Sequence, residues 1–345
     1  MSRGASSASH LAARGTCALR TLHGVGLSNV AAALDDPRIL ESLADRTPEA
    51  AQAQLSTLLS DGRAVLDQVA RDGAPPEELP ANAIMGLEAI VVAVGRPALL
   101  IRSGSFEPAL DPWTMLTPRR ASIEAVFPSV GRIELTGHAS LDWVGTGFLI
   151  TPEVVLTNRH VVQEFATRGW SGRWTIDPAI TARIDFAEEI DSTTPRETSI
   201  HEVIGVHPVL DLALLSCTPL SGHGGVRLDA GSVPVAPQRP SYIIGYPALD
   251  SRRNDSTTLE RVFGSIFNVK RLQPGMLTGW LEPERAYTHD CSTLGGNSGS
   301  CLVDLDTGVV VGIHFGGRFG QANWAVSTRD LAGEPLLRRL GATFV

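Results

Sequence analysis

The spacing of apolar positions changes once along the chain. Leu55, Leu58, Leu59, Leu66 and Val69 fall at intervals of three, four and seven with polar residues between them, which is one buried face of a helix. Thr47-Pro48-Glu49 sets a capping hydroxyl before a proline in the first turn, so a helix is predicted over about 48–71, weakened at Gly62. Asp72-Gly-Ala-Pro-Pro ends it. A second helix is predicted from about Pro80, and the apolar run at 90–94 fits a buried helix or a strand equally well.

From Ile123 the helical period gives way to short β-branched and aromatic runs divided by Gly, Pro and Asp. Strands are predicted at 131–135, 143–150, 154–157, 182–186, 203–206 and 212–215. Others follow at 241–244, 264–269, 276–280, 300–303, 309–313 and 324–327. Many short strands at this spacing read as an all-β barrel or sandwich. Leu336, Leu337 and Leu340 predict a closing helix within 328–340.

Composition sharpens the boundary between the two textures. The chain has 345 residues, and all of its aromatic residues lie from Phe106 onward. Residues 1–103 are therefore expected to be a mainly helical accessory region and 104–120, with Gly104, Pro108, Pro112 and Pro118, a linker. A β domain would occupy 121–345. The accessory region carries no recognisable chemistry; it fits either a docking site for a regulatory partner protein or an extension packed on the main domain.

Charge excludes several functions. The formal net charge is -8, with 9 basic and 13 acidic residues before 116 and 20 and 24 after, so no basic footprint for nucleic acid or anionic membrane is expected. Lys270 is the only lysine, which removes phosphate loops that end in Lys-Ser/Thr. Cys17, Cys217, Cys291 and Cys301 form no Cys-x-x-Cys pair, and no His-Glu-x-x-His is present, so no metal site and no cofactor are expected. Sparse cysteines and the lack of a recognisable signal peptide or apolar span predict a cytoplasmic protein.

Three segments carry chemistry. They are Gly145-Thr-Gly-Phe-Leu-Ile with Thr157-Asn158-Arg159-His160-Val161-Val162; then Asp211-Leu-Ala-Leu-Leu; then Gly295-Gly296-Asn297-Ser298-Gly299-Ser300 with Gly312-Ile-His314-Phe-Gly-Gly. A serine hydroxyl attacks an acyl group only with a base in reach and a third group to orient that base. His160, Asp211 and Ser298 supply those types, with Asp185 as the alternative third member. Glycines beside Ser298 allow the tight turn in which Gly296 and Ser298 N–H groups face one developing oxyanion.

These motifs resemble the trypsin-like (chymotrypsin-fold) serine peptidases, and most of all their bacterial glutamyl endopeptidase branch. The resemblance covers about 120–345 and leaves the accessory region outside. It implies two packed antiparallel β-barrels, about 121–225 and 226–345, with His160 and Asp211 on the first and Ser298 on the second. His160 would be the general base, Asp211 its orienting acid, and the substrate a protein or peptide. Within that branch the residues matching Thr293 and His314 bind an acidic side chain, which implies cleavage after Glu or Asp.

The sequence departs from the branch at two places. Cys301 stands where the pattern has proline, and with Cys291 it is expected to be a buried free thiol. In this branch the mature α-amino group helps the pocket, yet here more than a hundred residues precede the domain. Either the linker is cut, near Arg119-Arg120, Glu107 or Glu124, or the amine has no part. The alternative reading is a catalytically inactive peptidase fold serving as an interaction module.

Overall fold

A computed structural model describes residues 18–19, 22, 27–35, 49–73, 79–248, 266–282, 284–318 and 322–345. Cys17 and the cap at Thr47-Pro48 lie outside these residues.

The accessory region is helical, as its periodicity predicts. It contains α1 (Leu27–Leu34), α2 (Glu49–Asp72) and α3 (Ala81–Ile90). The ambiguous run after α3 continues as a π-helical turn, Val91–Gly95. Leu22, Val30, Leu59, Leu66, Leu87 and Ile90 close a core of their own. Gly62, expected to be a weak point, is the crossing point of two helices. A Cβ there would lie 2.5 Å from the Gly86 carbonyl carbon, and one on Gly86 would overlap the Leu58 carbonyl oxygen. Small residues at the crossing let α2 and α3 approach at backbone distance.

Two six-stranded antiparallel barrels follow. The first contains β3 (Val130–Thr136), β4 (Trp143–Thr151), β5 (Val154–Thr157), β8 (Thr181–Asp185), β9 (Glu197–Val206) and β10 (Ala213–Cys217). It closes in the order β10-β5-β4-β3-β8-β9. A side hairpin, β6 (Ala166–Arg168) and β7 (Trp174–Ile176), stands beside it. The second barrel contains β11 (Arg239–Gly245), β12 (Arg271–Leu281), β13 (Ala286–His289), β14 (Cys301–Asp304), β15 (Val310–Arg318) and β16 (Ala322–Ser327). Its order is β11-β14-β15-β16-β13-β12, closed by pairing of β11 with β12. Closure leaves these strands no open edge to aggregate through.

Three expectations change. The strand at 264–269 is absent where the chain is described: 266–269 is irregular, and the strand starts at Arg271. The closing helix is two pieces, a 3-10 turn Arg329–Leu331 and a helix Pro335–Arg339. The segment 104–120 is packed, not a free linker. β1 (Leu99–Arg102) and β2 (Ser105–Phe106) extend the second barrel through β12, with Leu99 opposite Leu272. A 3-10 helix, Trp113–Arg119, then buries Trp113 and Leu116 in the core shared by both barrels. Proline and glycine gave the segment a linker's composition, but its aromatics and Leu116 are the anchor.

Lys270 pins the barrels together. It is fully buried, and its Nζ donates to the Phe127 and Phe186 carbonyls at 3.0 and 2.6 Å. Burial pushes its pKa down to about 8.

Candidate active site

β5 is buried along its length and leads directly into Asn158, itself fully buried. Asn158 Nδ2 donates to the Asp211 carbonyl at 2.8 Å, tying the end of β5 to the loop before β10. The helical turn Arg159–Val162 follows at once and presents His160. Arg159 braces that loop through the His207 and Leu210 carbonyls. His207 Nδ1 accepts the Val209 and Leu210 amides.

His160 and Asp211 meet within this frame. His160 Nδ1 lies 2.6 Å from Asp211 Oδ2, and the His160 amide donates to Oδ1 at 3.1 Å. An ionised carboxylate only accepts, so Nδ1 carries the hydrogen and Nε2 presents its lone pair to the cleft. Burial pushes the Asp211 pKa up, but the hydrogen bond and charge of His160 outweigh it and hold it below the ordinary value. Asp185 is elsewhere: it is buried and accepts the Ala187 and Arg196 amides at 2.7 and 3.0 Å.

Ser298 arrives from the second barrel on a turn that requires its glycines. Gly296 and Gly299 have φ of +85° and +89°. A Cβ on Gly296 would overlap Trp143 and the Tyr246 carbonyl, and one on Gly299 would overlap the Thr146 carbonyl. Among the described residues neither the Gly296 nor the Ser298 N–H has a protein acceptor, while the Asn297, Gly299 and Ser300 amides are all bonded. Two unspent donors flank the hydroxyl, as an oxyanion hole requires. Asn297 is locked below by its side-chain amide pair with Gln273, at 3.0 and 3.3 Å.

The two barrels meet here through Thr146, which the motif reading passed over. Its amide donates to the Ser298 carbonyl and its hydroxyl to the Gly296 carbonyl, each at 2.8 Å, and the hydroxyl accepts the Tyr246 amide at 3.4 Å. The neighbouring Gly145 lies between Val161, beside His160, and the Ser298 carbonyl; a Cβ would sit 2.8 and 3.0 Å from them. No hydrogen bond between Ser298 Oγ and His160 forms among the described residues. Catalytic hydrogen bonds are often long before substrate binds.

Thr293 is half-buried and His314 is 3% exposed. His314 is not alone. Its Nδ1 lies 3.1 Å from Nε2 of His289, a fully buried residue. Burial, reinforced by the charge of His160, pushes the His314 pKa down to about 3, and burial pushes His289 well below its ordinary value. Both rings are neutral at pH 7. His289 Nδ1 has no partner. Leaving a lone pair unmatched there costs less than leaving an N–H unmatched, so His289 Nε2–H is the donor. His314 then carries its hydrogen on Nε2. Cys291 and Cys301 are buried free thiols, as expected, and burial raises both pKa values, Cys301 to about 12. Neither is a nucleophile.

Among the described residues, the one carboxylate cluster tight enough for a metal is Glu134, Asp185 and Glu188. Arg132 and Arg183 already neutralise it. No helix among the described residues is long and apolar enough to cross a membrane.

The fold is a pair of closed six-stranded antiparallel β-barrels. Residues 145–313 match the family described as the trypsin-like peptidase domain. The chain is 29% identical over 310 residues to the probable serine protease FE772_23060 of Lysobacter enzymogenes, covering 77% of this chain and 78% of that protein. It is 27% identical over 133 residues to the uncharacterized protein y4fB of Sinorhizobium fredii, covering 33% of this chain and 18% of that one. Among solved structures, Deg5 is similar at a TM-score of 0.47 and 18% identity, covering 69% of this chain and 100% of that one. A serine endoprotease from Yersinia pestis gives 0.44 and 17%, covering 63% and 65%. The chain is a serine endopeptidase, and its residues 145–313 are similar to the trypsin-like peptidase domain.

Proposed function

We propose that His160, Asp211 and Ser298 are the catalytic triad of this endopeptidase, and that it cleaves after acidic residues. His160 Nε2 takes the Ser298 proton as Oγ attacks the scissile carbonyl, and Gly296 and Ser298 N–H groups receive the oxyanion. The imidazolium, stabilised by Asp211, then protonates the leaving amine. Water repeats the sequence on the acyl-enzyme.

The observation that carries this reading is the pairing of a fixed His160–Asp211 dyad with two unspent amides on the opposite barrel. The acidic preference rests on the His289–His314 contact. It leaves His314 Nε2–H as a buried donor, with the half-buried Thr293 hydroxyl proposed as a second. A carboxylate that accepts from both would draw a proton onto His314. The accessory region is proposed to regulate this activity.

Fluorophosphonate labelling of wild type and Ser298→Ala tests the triad; equal labelling of both would remove it. Peptides that differ only in Glu, Asp, Gln, Leu or Ala before the scissile bond test the preference. Faster cleavage after Leu or Ala than after Glu would overturn it.

A further inference from the structure

The chain just before β1 lies against the segment that leads to Thr293. Three of four consecutive carbonyls, 95 to 98, are gripped by the peptidase. Trp113 Nε1 donates to Gly95 O at 3.1 Å, Ser292 Oγ to Arg96 O at 2.7 Å, and Arg271 Nη1 to Ala98 O at 2.7 Å. The Arg96 side chain reaches the same place, with Nη2 at 3.6 Å from Asp290 Oδ2 and both side chains about a quarter exposed or less (22% and 24%).

Asp290 is fixed from the other side. Its Oδ1 accepts the Met276 amide at 2.6 Å, and its amide donates to Met276 O at 3.1 Å. Next to it, Asn323 Nδ2 holds the Cys291 carbonyl at 2.7 Å. The carboxylate thus cannot swing away, and it immediately follows His289 in sequence. One residue after His289, then, stands a fixed carboxylate that Arg96 faces. The field of Arg96 also reaches His289.

We propose that the accessory region completes the acidic-residue pocket. Arg96 is a positioning residue that braces the 290–292 wall and neutralises Asp290, a charge that would otherwise repel the substrate carboxylate. The inference rests on the acidic preference proposed above and names what the accessory region contributes to it. Cutting the chain between 96 and β1 without losing the strap would leave the pocket intact; withdrawing the strap would turn it against acidic substrates.

The test is the ratio of kcat/KM for a Glu peptide to that for its Gln isostere, measured on the full chain. Arg96→Met keeps the aliphatic stem and is expected to lower the ratio about tenfold, the scale of one unit charge acting across a partly wet site. Arg96→Lys is expected to hold the wild-type ratio. Asp290→Asn, which retains an oxygen for the Met276 amide, is expected to raise it, and the double variant Arg96→Met with Asp290→Asn to return it to the wild-type value. Fluorophosphonate labelling of Ser298 reports that each variant keeps its machinery. Equal losses on Glu and Gln peptides, or a ratio unmoved by both single variants, would overturn the inference. The wild-type ratio alone judges the acidic preference, and the shifts judge the strap, so either can fail without the other.

Discussion

Replacing Thr146 by valine removes one oxygen and almost no volume, which makes it a clean probe of the seam between the barrels. Thr146 is fully buried, and its hydroxyl serves Gly296 O at 2.8 Å and the Tyr246 amide at 3.4 Å. Valine strands both groups without water. The better bond alone sets a stability loss of about 1–3 kcal/mol. The catalytic share follows from what the bond positions. In the proposed oxyanion hole Gly296 would supply one donor, and a donor of that kind contributes about 3 kcal/mol to barrier lowering. Partial misalignment of the Gly296 backbone is expected to cost one to two thirds of it, so kcat falls about 5- to 30-fold while KM changes little. Steady-state kinetics and the fluorophosphonate labelling rate give the catalytic term, and thermal unfolding gives the structural one. Thr146→Ser keeps the hydroxyl and is expected to recover kcat. A valine variant that unfolds earlier yet keeps kcat within twofold would refute the reasoning, because the Gly296 turn would then hold its own orientation.

Asp211→Asn is expected to keep the fold but present the wrong imidazole tautomer, lowering kcat by about 10⁴, read with an active-site-titrated preparation. The folded pKa of Lys270 lies below its unfolded value, so the unfolded state holds more protons between pH 8 and about 10 and stability rises with pH there. The gain approaches about 3 kcal/mol, and the difference in denaturant unfolding between wild type and Lys270→Met across that window isolates it. Gly86→Val, which forces a Cβ into the Leu58 carbonyl, is expected to destabilise the α2–α3 pair by more than 3 kcal/mol. Amide exchange in α2 and α3 would report it as local opening, with the barrels' protection unchanged.

What the sequence made legible was local. The motifs around His160, Asp211 and Ser298 each lie within a few residues of chain, on a strand end or a glycine turn, so spacing alone exposed them. The run at 154–157 was read to the residue because three β-branched or aliphatic residues and a threonine follow directly on Pro152-Glu153. What escaped was built from distant partners. His289 and His314 lie 25 residues apart on strands separated by β16, and only the sheet order β15-β16-β13 brings the rings together. Thr146 looks like any strand threonine until the second barrel's loop settles on it. Gly62 has the composition of a helix breaker and the environment of a helix crossing. The segment 104–120 misled for a related reason: proline and glycine describe its turns, and only tertiary packing shows what Trp113 is for.

The pairing of β1 with β12 bears on maturation. Arg119 and Arg120, one of the alternative places for a cut, belong to consecutive helical turns and are engaged with Asp306 and Glu124. A protease that nicked there would sever the peptide but not the assembly. β1 would remain in the sheet of the second barrel, and Trp113 would remain in the shared core. The product would run as two fragments under denaturing conditions and as one particle in native ones. Such a cut would create a new chain end without discarding the piece before it, and the accessory helices would then stay with the enzyme as a subunit rather than leave as a prosegment.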